Sequence, residues 1–421
     1  ETGLNPSAEV RLFGQEYNPE SFAICGSDLM IKGEEVNNIV FGDTLGTGKP
    51  KEGFADGDGH PGEHFHFMLA NPPFGVEWKP EKDFVTTEHD AFGFKGRSGP
   101  GLQRINDGAL LFLLHMISKM QPAPEKGGEG SRIAVVFNGS PLFTGDAGSG
   151  ESNIRRWIIE NDMLEAVIGL PDQLFYNTGI YTYVWIVTNR KAAQRKGRVQ
   201  LINATDFAWK MKKSLGDKRK RMGDGTDGTP DHLAAITRLY GDFAKDVRKT
   251  VAEIQTNIDP KRDQTKSQCV SKIFDNQDFG FLKITVERPL RLNFAVTDAR
   301  IASVKQTNAF WELALSRKRK NQAQIDTEVL QGKAAQAAIL AVLEGMRPAF
   351  ADGHTVKDRP TFDKLLTAAF AAADLELDSK LKTALLAPGS LGAKDPSADI
   401  CRDKKGNPEP DADLRDTENV P

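Results

Sequence analysis

Apolar runs alternate with polar breaks through the first half of the chain and predict strands and helices in turn. Residues 10–15, VRLFGQ, read as a strand that ends at Glu16. In NPESFAICGSDLMIKG, residues Phe22, Ala23, Ile24, Leu29, Met30 and Ile31 recur at positions suited to a helix. NIVFGDTL (38–45) predicts a second strand and FHFMLA (65–70) a third, with a loop rich in glycine and charge over 46–64. Residues 105–120 predict a helix apolar on nearly all sides, which implies deep burial. RIAVVF (132–137), LEAVIGL (164–170) and IYTYVWIVTN (180–189) predict buried strands, with a helix at NIRRWIIEN. This alternation predicts an α/β sheet with covered faces, and the closeness of the last two strands predicts an antiparallel pair.

After residue 190 the pattern changes. KMKKSLGDKRKRM (210–222) concentrates Lys210, Lys212, Lys213, Lys218, Arg219, Lys220 and Arg221. A charged helix face is the first expectation for such a run; contact with DNA phosphates or a partner subunit is the alternative. Residues 223–231 read as a glycine-rich acidic turn and 232–257 as helical. From 309 onward, stretches such as AAQAAILAVLEGM predict a helical second region. The polar DICRDKKGNPEPDADLRDTENVP at the end is expected to have no core of its own.

Composition narrows the class. A chain of 421 residues suffices for at least two domains. Its net charge of -3 gives no general affinity for nucleic acid but allows a local basic cleft. The widely spaced Cys25, Cys269 and Cys401 fit neither a disulfide framework nor a zinc site, so reduced cysteines in a cytoplasmic setting are expected. No apolar stretch is long enough to span a bilayer. The opening ETGLNPSAE has no signal-peptide pattern, and a start on Glu1 leads us to expect a fragment or processed product.

The most informative stretch is LANPPFG, residues 69–75, at the exit of the third strand. Pro72 and Pro73 stiffen the loop and leave their carbonyls free as acceptors. Asn71 adds an amide, and Phe74 offers a flat face for a planar heterocycle. The set suits an exocyclic amine on an aromatic base: two oxygens accept its hydrogens while the ring is held. Such acceptors help localise the amine lone pair as the nitrogen becomes tetrahedral. The alternative is an ordinary strand-exit turn with Phe74 plugging the core.

Other signals are weaker. GDTLGTGK (42–49) fails as a phosphate loop, because Asp43 stands where the first glycine belongs and Pro50 follows Lys49. His60, His64 and His66 lack metal-ligand spacing and are expected to be solvent-exposed. Asp107 and Gly108, before the apolar helix, suit a cap and a close approach or a ligand role.

LFGQEYNPESFAICGSDLMIKG, FGDTL, LANPPFG, DGALLFLLHMISKM, RIAVVFNGSPLF and VIGLPDQLFYNTGIYTYVWIVTN, with FDNQDFGFLKITVERPLRLNF and ADICRDKKGNPEPDADLRDTENVP later, give a strong resemblance. The chain resembles the modification subunit of type I restriction-modification systems, a family of DNA N6-adenine methyltransferases. The resemblance implies a seven-stranded S-adenosylmethionine-dependent methyltransferase sheet with flanking helices and a terminal antiparallel pair, followed by a mainly helical C-terminal region. It implies methyl transfer from S-adenosylmethionine to adenine N6 in duplex DNA, with no metal required. Asn71, Pro72, Pro73 and Phe74 match the catalytic motif. Glu16 matches the acid that receives the donor's ribose hydroxyls, Asp43 the acid near its adenine ring, and Phe175 the target-base side. The implied partners are double-stranded DNA, a specificity subunit, a second modification subunit and a restriction subunit, with no membrane. Residues 1–205 are then the catalytic core, lacking its first strand and Gly-rich donor loop. Residues 206–300 are a basic linker with a helical or extended connection, and 301–421 a helical region with a polar tail for subunit docking. A noncatalytic assembly or DNA-holding subunit derived from that fold is the alternative function, and an RNA or protein amide methyltransferase a third.

Overall fold

The computed structural model describes residues 9–259, 261–316 and 322–420; the opening residues read as carrying no leader lie outside these. The chain divides after Phe281 into two compact units. In the first, β1 (Gly14–Glu16), β2 (Ile39–Asp43) and β3 (Ala55–Asp56) form a small parallel sheet. The connection between β1 and β2 is α1 (Pro19–Lys32). Asn18 starts this helix by accepting the N–H groups of Glu20 and Ser21, Pro19 presets its first turn, and Gly33 ends it at φ 73°. The predicted helix and its neighbouring strands are therefore present.

A larger seven-stranded sheet follows. Its strands are β4 (Phe67–Ala70), β5 (Arg132–Phe137), β6 (Leu164–Leu170), β7 (Thr182–Thr188) and β8 (Arg198–Asn203), joined by β11 (Val247–Thr250) and β12 (Ser267–Asp275). The order is β11-β12-β8-β6-β7-β5-β4. Between β8 and β11 the chain forms a separate two-stranded hairpin, β9 (Trp209–Leu215) and β10 (Lys218–Arg221). β7 runs antiparallel to β6, as the short connection predicts, and also to β5. Alternate positions Ile133, Val135 and Phe137 are fully buried. They pack with α3 (Ala109–Ser118) and α5 (Gly150–Glu160), while α2 (Lys82–Phe92) adds Val85 to the same core and α4 (Ser140–Phe143) is a single turn after β5. α3 buries Leu110, Leu111, Leu113 and Leu114, as its nearly uniform apolarity demands.

Three expectations change. The basic run is the β9–β10 hairpin and not a helix face: Trp209 and Met211 alternate with exposed lysines at period two, and Gly216 turns the chain at φ 60°. The helix expected over 232–257 breaks after α6 (His232–Asp242), where Phe243 adopts φ 47°. β11 follows, and then α7 (Val251–Ile254). Finally, β1 and β2 share no sheet with β4, although both ladders are parallel on their paired sides. β1 and β4 each end their sheet, and on β4 Leu69 is 84% and Phe67 67% exposed.

A knot of charges ties the small sheet to α2 and α3. The Arg97 guanidinium clasps Glu88 at 2.7 Å and donates to the carbonyls of Thr44 (2.6 Å) and Leu45 (3.1 Å), just past β2. His115 lies 3.4 Å from the same guanidinium. Lys119 bonds Asp58 at 2.8 Å and the His60 carbonyl at 2.6 Å. Burial pushes Glu88 up, but its bonds to Arg97 outweigh this and hold it below the ordinary range. Burial, with the charge of Arg97, depresses His115 to about 4.

The second unit, Leu282–Val420, has its own core. β13 (Leu282–Val286) pairs with β16 (Asp416–Val420), and β14 (Leu292–Phe294) with β15 (Gly392–Lys394). The helices are α8 (Asp298–Val304), α9 (Asn308–Trp311), α10 (Gln322–Met346), α11 (Arg359–Ala372) and α12 (Ser379–Leu385). Phe362 and Phe370 of α11 are fully buried, and Phe362 stacks on Phe294 with ring centroids 5.1 Å apart. The polar final stretch joins this core through Cys401. Among the described residues, no helix is long and apolar enough to cross a membrane.

Phe362→Ala should destabilise the second unit by about 3–5 kcal/mol, read as a lower urea midpoint of that unit's unfolding; an unchanged midpoint would mean that the site repacks without loss. The depressed His115 has a second consequence. Its neutral folded form contributes stability that is complete above the unfolded value near 6.5 and is lost as pH falls toward 4. The loss is on the order of 3 kcal/mol, and His115→Gln should flatten it in urea titrations between pH 7 and 4.5. The same pH dependence in both proteins would assign the effect to other groups.

Candidate functional site

The ladders bring several strand ends to one edge. Ala70 pairs with Val135, Phe137 with Tyr183, and Leu170 with Thr182. Asn71 after β4, Asn138 after β5 and the loop 171–181 before β7 therefore leave the large sheet at a common edge. In α/β sheets this carboxyl edge is where ligands bind.

At that edge Asn71 is exposed, Pro72 buried, Pro73 exposed and Phe74 half-buried. Neither the Asn71 amide nor the Pro72 carbonyl is committed to a hydrogen bond among the described residues. Phe74 belongs to none of the three apolar clusters, so it is not the core plug of the bland alternative. The exit from the motif is rigid. Gly108 donates its N–H to the Val76 carbonyl (3.2 Å), Trp78 donates its backbone N–H to Ile105 (3.0 Å), and the Trp78 indole donates to Arg104 (2.9 Å).

Asp107 and Gln103 flank this exit, and sequence reasoning did not pair them. Asp107 Oδ1 accepts the Ala109 N–H at 3.1 Å and Gln103 Oε1 the Leu110 N–H at 2.7 Å, so together they cap α3. Asp107 Oδ2 and Gln103 Nε2 are buried without a partner. The cap reading of Asp107 is thus observed. Gly108 is in ordinary contact with Trp78, its Cβ position lying 3.5 Å from that ring, so no very close approach requires it.

Glu16 and Asp43 stand on adjacent strand ends of the small sheet, where Glu16 pairs with Phe41. Glu16 Oε1 accepts the Asn18 N–H at 2.7 Å, which ties the carboxylate to the start of α1. A cleft of about 320 Å³ lies beside β1 and α1, lined by residues 12–16 with Cys25, Leu29 and Ile39. Asp43 is buried, and its Oδ1 accepts the Leu45 N–H at 3.0 Å. Glu81 lies beside it, unforeseen from sequence: burial, then the nearby Asp43, raises its carboxyl above the usual range, and its Oε2 is buried without a partner. The histidines separate in role. His60 is half-buried and its Nε2 meets the Gly14 carbonyl at 2.9 Å, contrary to the exposure expected for it, while His66 pairs with Glu129 at the surface.

Phe175 is half-buried in the loop 171–181, where it bridges to Thr178, and it too lies outside the apolar clusters. Of the seven basic residues, Lys220 bonds Asp172 at 2.5 Å, Arg221 lies 3.7 Å from Asp227, and Lys218 sits over the Tyr176 ring at 4.7 Å. Lys210, Lys212, Lys213 and Arg219 are exposed.

Comparison with known proteins adds to this geometry. The chain is 28% identical over 200 residues to the type I restriction enzyme MjaIX methylase subunit of Methanocaldococcus jannaschii, covering 47% of this chain and 32% of that protein. With the type I restriction enzyme EcoKI methylase subunit of Escherichia coli it shares 28% identity over 212 residues, 48% of this chain and 31% of that one. The chain spans about a third of the length of the curated relatives it matches. Among solved structures, a type I restriction-modification methyltransferase subunit from Streptococcus thermophilus aligns at 24% identity and a TM-score of 0.41, covering 56% of this chain and 43% of that one. A sequence model of N-6 DNA methylases matches residues 4–263, more than half of the chain, and the protein therefore belongs to the N-6 DNA methylase family.

Proposed function

We propose that this chain carries the catalytic strand exit of a DNA adenine-N6 methyltransferase and works as part of a type I restriction-modification modification subunit. The observation that carries this reading is the uncommitted pair of acceptors, the Asn71 amide and Pro72 carbonyl, beside a Phe74 ring that no core cluster claims. The Asn71 amide oxygen and the Pro72 carbonyl accept the two hydrogens of the target amine. Phe74 holds the base by stacking, and Phe175 faces the same base from the loop 171–181. Reaching a ring amine in this way requires the adenine to leave the duplex stack.

The methyl donor is S-adenosylmethionine, which supplies an electrophilic methyl group when bound. Glu16 would hold its ribose hydroxyls, since one carboxylate oxygen remains beyond the bond to Asn18, and the cleft along β1 adjoins it. Asp43 would stand on the adenine side. A further parallel strand between β1 and β4 would join the two sheets, cover Leu69 and Phe67, and bring the donor loop to this edge.

Sequence recognition falls to a specificity subunit. A second modification subunit and a restriction subunit complete the assembly, with docking through the helical region after residue 301. Lys210, Lys212, Lys213, Lys218, Arg219, Lys220 and Arg221 belong to the DNA side. The separation of β1 from β4 favours a second reading, a noncatalytic assembly or DNA-holding protein. Donor binding distinguishes the two, because only the catalytic reading gives Glu16 a ligand.

In the assembled enzyme, Asn71→Ala should lower single-turnover methyl transfer by roughly 100- to 1,000-fold, about 2.7–4 kcal/mol, with donor affinity nearly unchanged. Transfer at the parent rate by folded Asn71→Ala protein would end the catalytic account. Phe74→Ala should cost about 1–3 kcal/mol through placement of the base. Glu16→Ala should weaken donor binding in calorimetry, and an unchanged dissociation constant would remove Glu16 from the donor site.

A further inference from the structure

The β9–β10 hairpin is attached to the loop 171–181 more firmly than a surface excursion needs. Asp217 donates its N–H to the Tyr176 carbonyl at 3.0 Å, and Arg219 and Lys220 both donate to the Gln173 carbonyl at 3.0 and 3.1 Å. The Lys220 ammonium reaches Asp172, and Lys218 covers the Tyr176 ring. Gly216 turns the hairpin at φ 60°, where an added Cβ would lie 2.6 Å from the Tyr176 carbonyl, so only glycine lets the two segments approach. A two-stranded ribbon is marginal by itself; these bonds make hairpin and loop one element.

The element carries charge that the chain does not neutralise. Lys210 sits directly opposite Lys220, a like-charge arrangement that destabilises a ribbon. Lys220 has Asp172, whereas Lys210, Lys212, Lys213 and Arg219 have no ion pair among the described residues. In the β9 alternation Lys210 and Lys212 share the face of Lys220, the face turned to the loop. The loop in turn exposes Tyr176 (61%) and Tyr181 (50%) at the edge that holds Asn71. Lys218 covers one face of Tyr176 and leaves the ring more than half exposed, and large exposed rings beside unpaired cations are the combination that binds nucleic acid, one part for phosphates and one for unstacked bases.

We propose that the hairpin and the loop 171–181 form one duplex-DNA-binding arm. Lys210, Lys212, Lys213 and Arg219 hold phosphates, and Tyr176 and Tyr181 stack on bases displaced from the helix. The proposal rests on the reading of the chain as a DNA methylase and adds that phosphate contact sets the position of the base-facing loop. Lys218 and Lys220 act within the arm, holding it together through Tyr176 and Asp172, while Arg221 lies 3.7 Å from Asp227 outside it.

The test measures binding of the 421-residue protein to a labelled 30-base-pair duplex across a salt series. A quadruple variant replaces Lys210, Lys212, Lys213 and Arg219 by glutamine, all at exposed positions where folding is spared; circular dichroism checks this. The slope of log affinity against log salt should fall in magnitude by about 3 to 4, near 0.9 per lost phosphate contact. Tyr176→Ala should keep the slope and lose, on the order of tenfold, any preference for a duplex with one mismatched adenine. An unchanged slope in the quadruple variant, with the parent binding DNA, overturns the arm alone. A retained mismatch preference in Tyr176→Ala overturns its stacking role. A parent that binds no DNA duplex at low salt, or prefers an RNA duplex, overturns the arm together with the DNA reading.

Discussion

The antiparallel insertion of β7 between β5 and β6 is the constraint on which the site depends. β5 and β6 run the same way, and a single reversed strand between them fixes the level of both ladders. Side chains on both strands are nearly sealed from water, Trp185 and Val187 on β7 and Ile133 and Val135 on β5 among them. A one-residue slip would turn all of these outward. With the register locked, the end of β4 and the start of β7 cannot drift apart, and Asn71 keeps its place relative to the loop 171–181. The placing of the strand-exit groups thus comes from a sheet that none of them belongs to.

Electrostatics plays the equivalent part on the other side. Arg97 holds two carbonyls just beyond β2, and Glu88 neutralises it within a half-buried setting. Ion pairs of this kind add little net stability, but they are costly to break singly. Their effect here is geometric: the backbone after Asp43 has a fixed path. A comparable buried carboxylate, Glu165, is satisfied by Arg132 at 3.1 Å and by the Tyr240 hydroxyl at 2.7 Å; burial and that carboxylate push Tyr240 up to about 12. It fastens α6 to the large sheet.

Much of this was legible in the residues. RIAVVF and LEAVIGL became strands at the predicted positions, because continuous apolar β-branched runs have few other ways to bury themselves. LANPPFG reads as a strand exit, and among the described residues neither the Asn71 amide nor the Pro72 carbonyl has a hydrogen-bond partner. The hairpin at 209–221 reads as a helix face because lysine and arginine are good helix formers and lysine is uncommon in strands; Trp209 and Met211, two apart, are the signal against it. The split between β1 and β4 could not be read at all, since strand neighbours depend on pairing across the chain and not on local pattern. Glu81 beside Asp43 was hidden for the same reason, since tertiary packing joins residues 38 positions apart; the Asp107 cap was legible, and only the share of Gln103 in it was not.

The bare side of β4 has a consequence for how the protein behaves in a tube. Leu69 and Phe67 project from a terminal strand with one unpaired side; the Arg190 guanidinium over the Phe67 ring at 4.9 Å and the prolines just past Ala70 blunt its ends, but Leu69 stays bare. A second molecule presenting the same strand offers matching donors, acceptors and apolar side chains. Crowding therefore works against the isolated chain, and solubility becomes a measure of whether that strand has been covered.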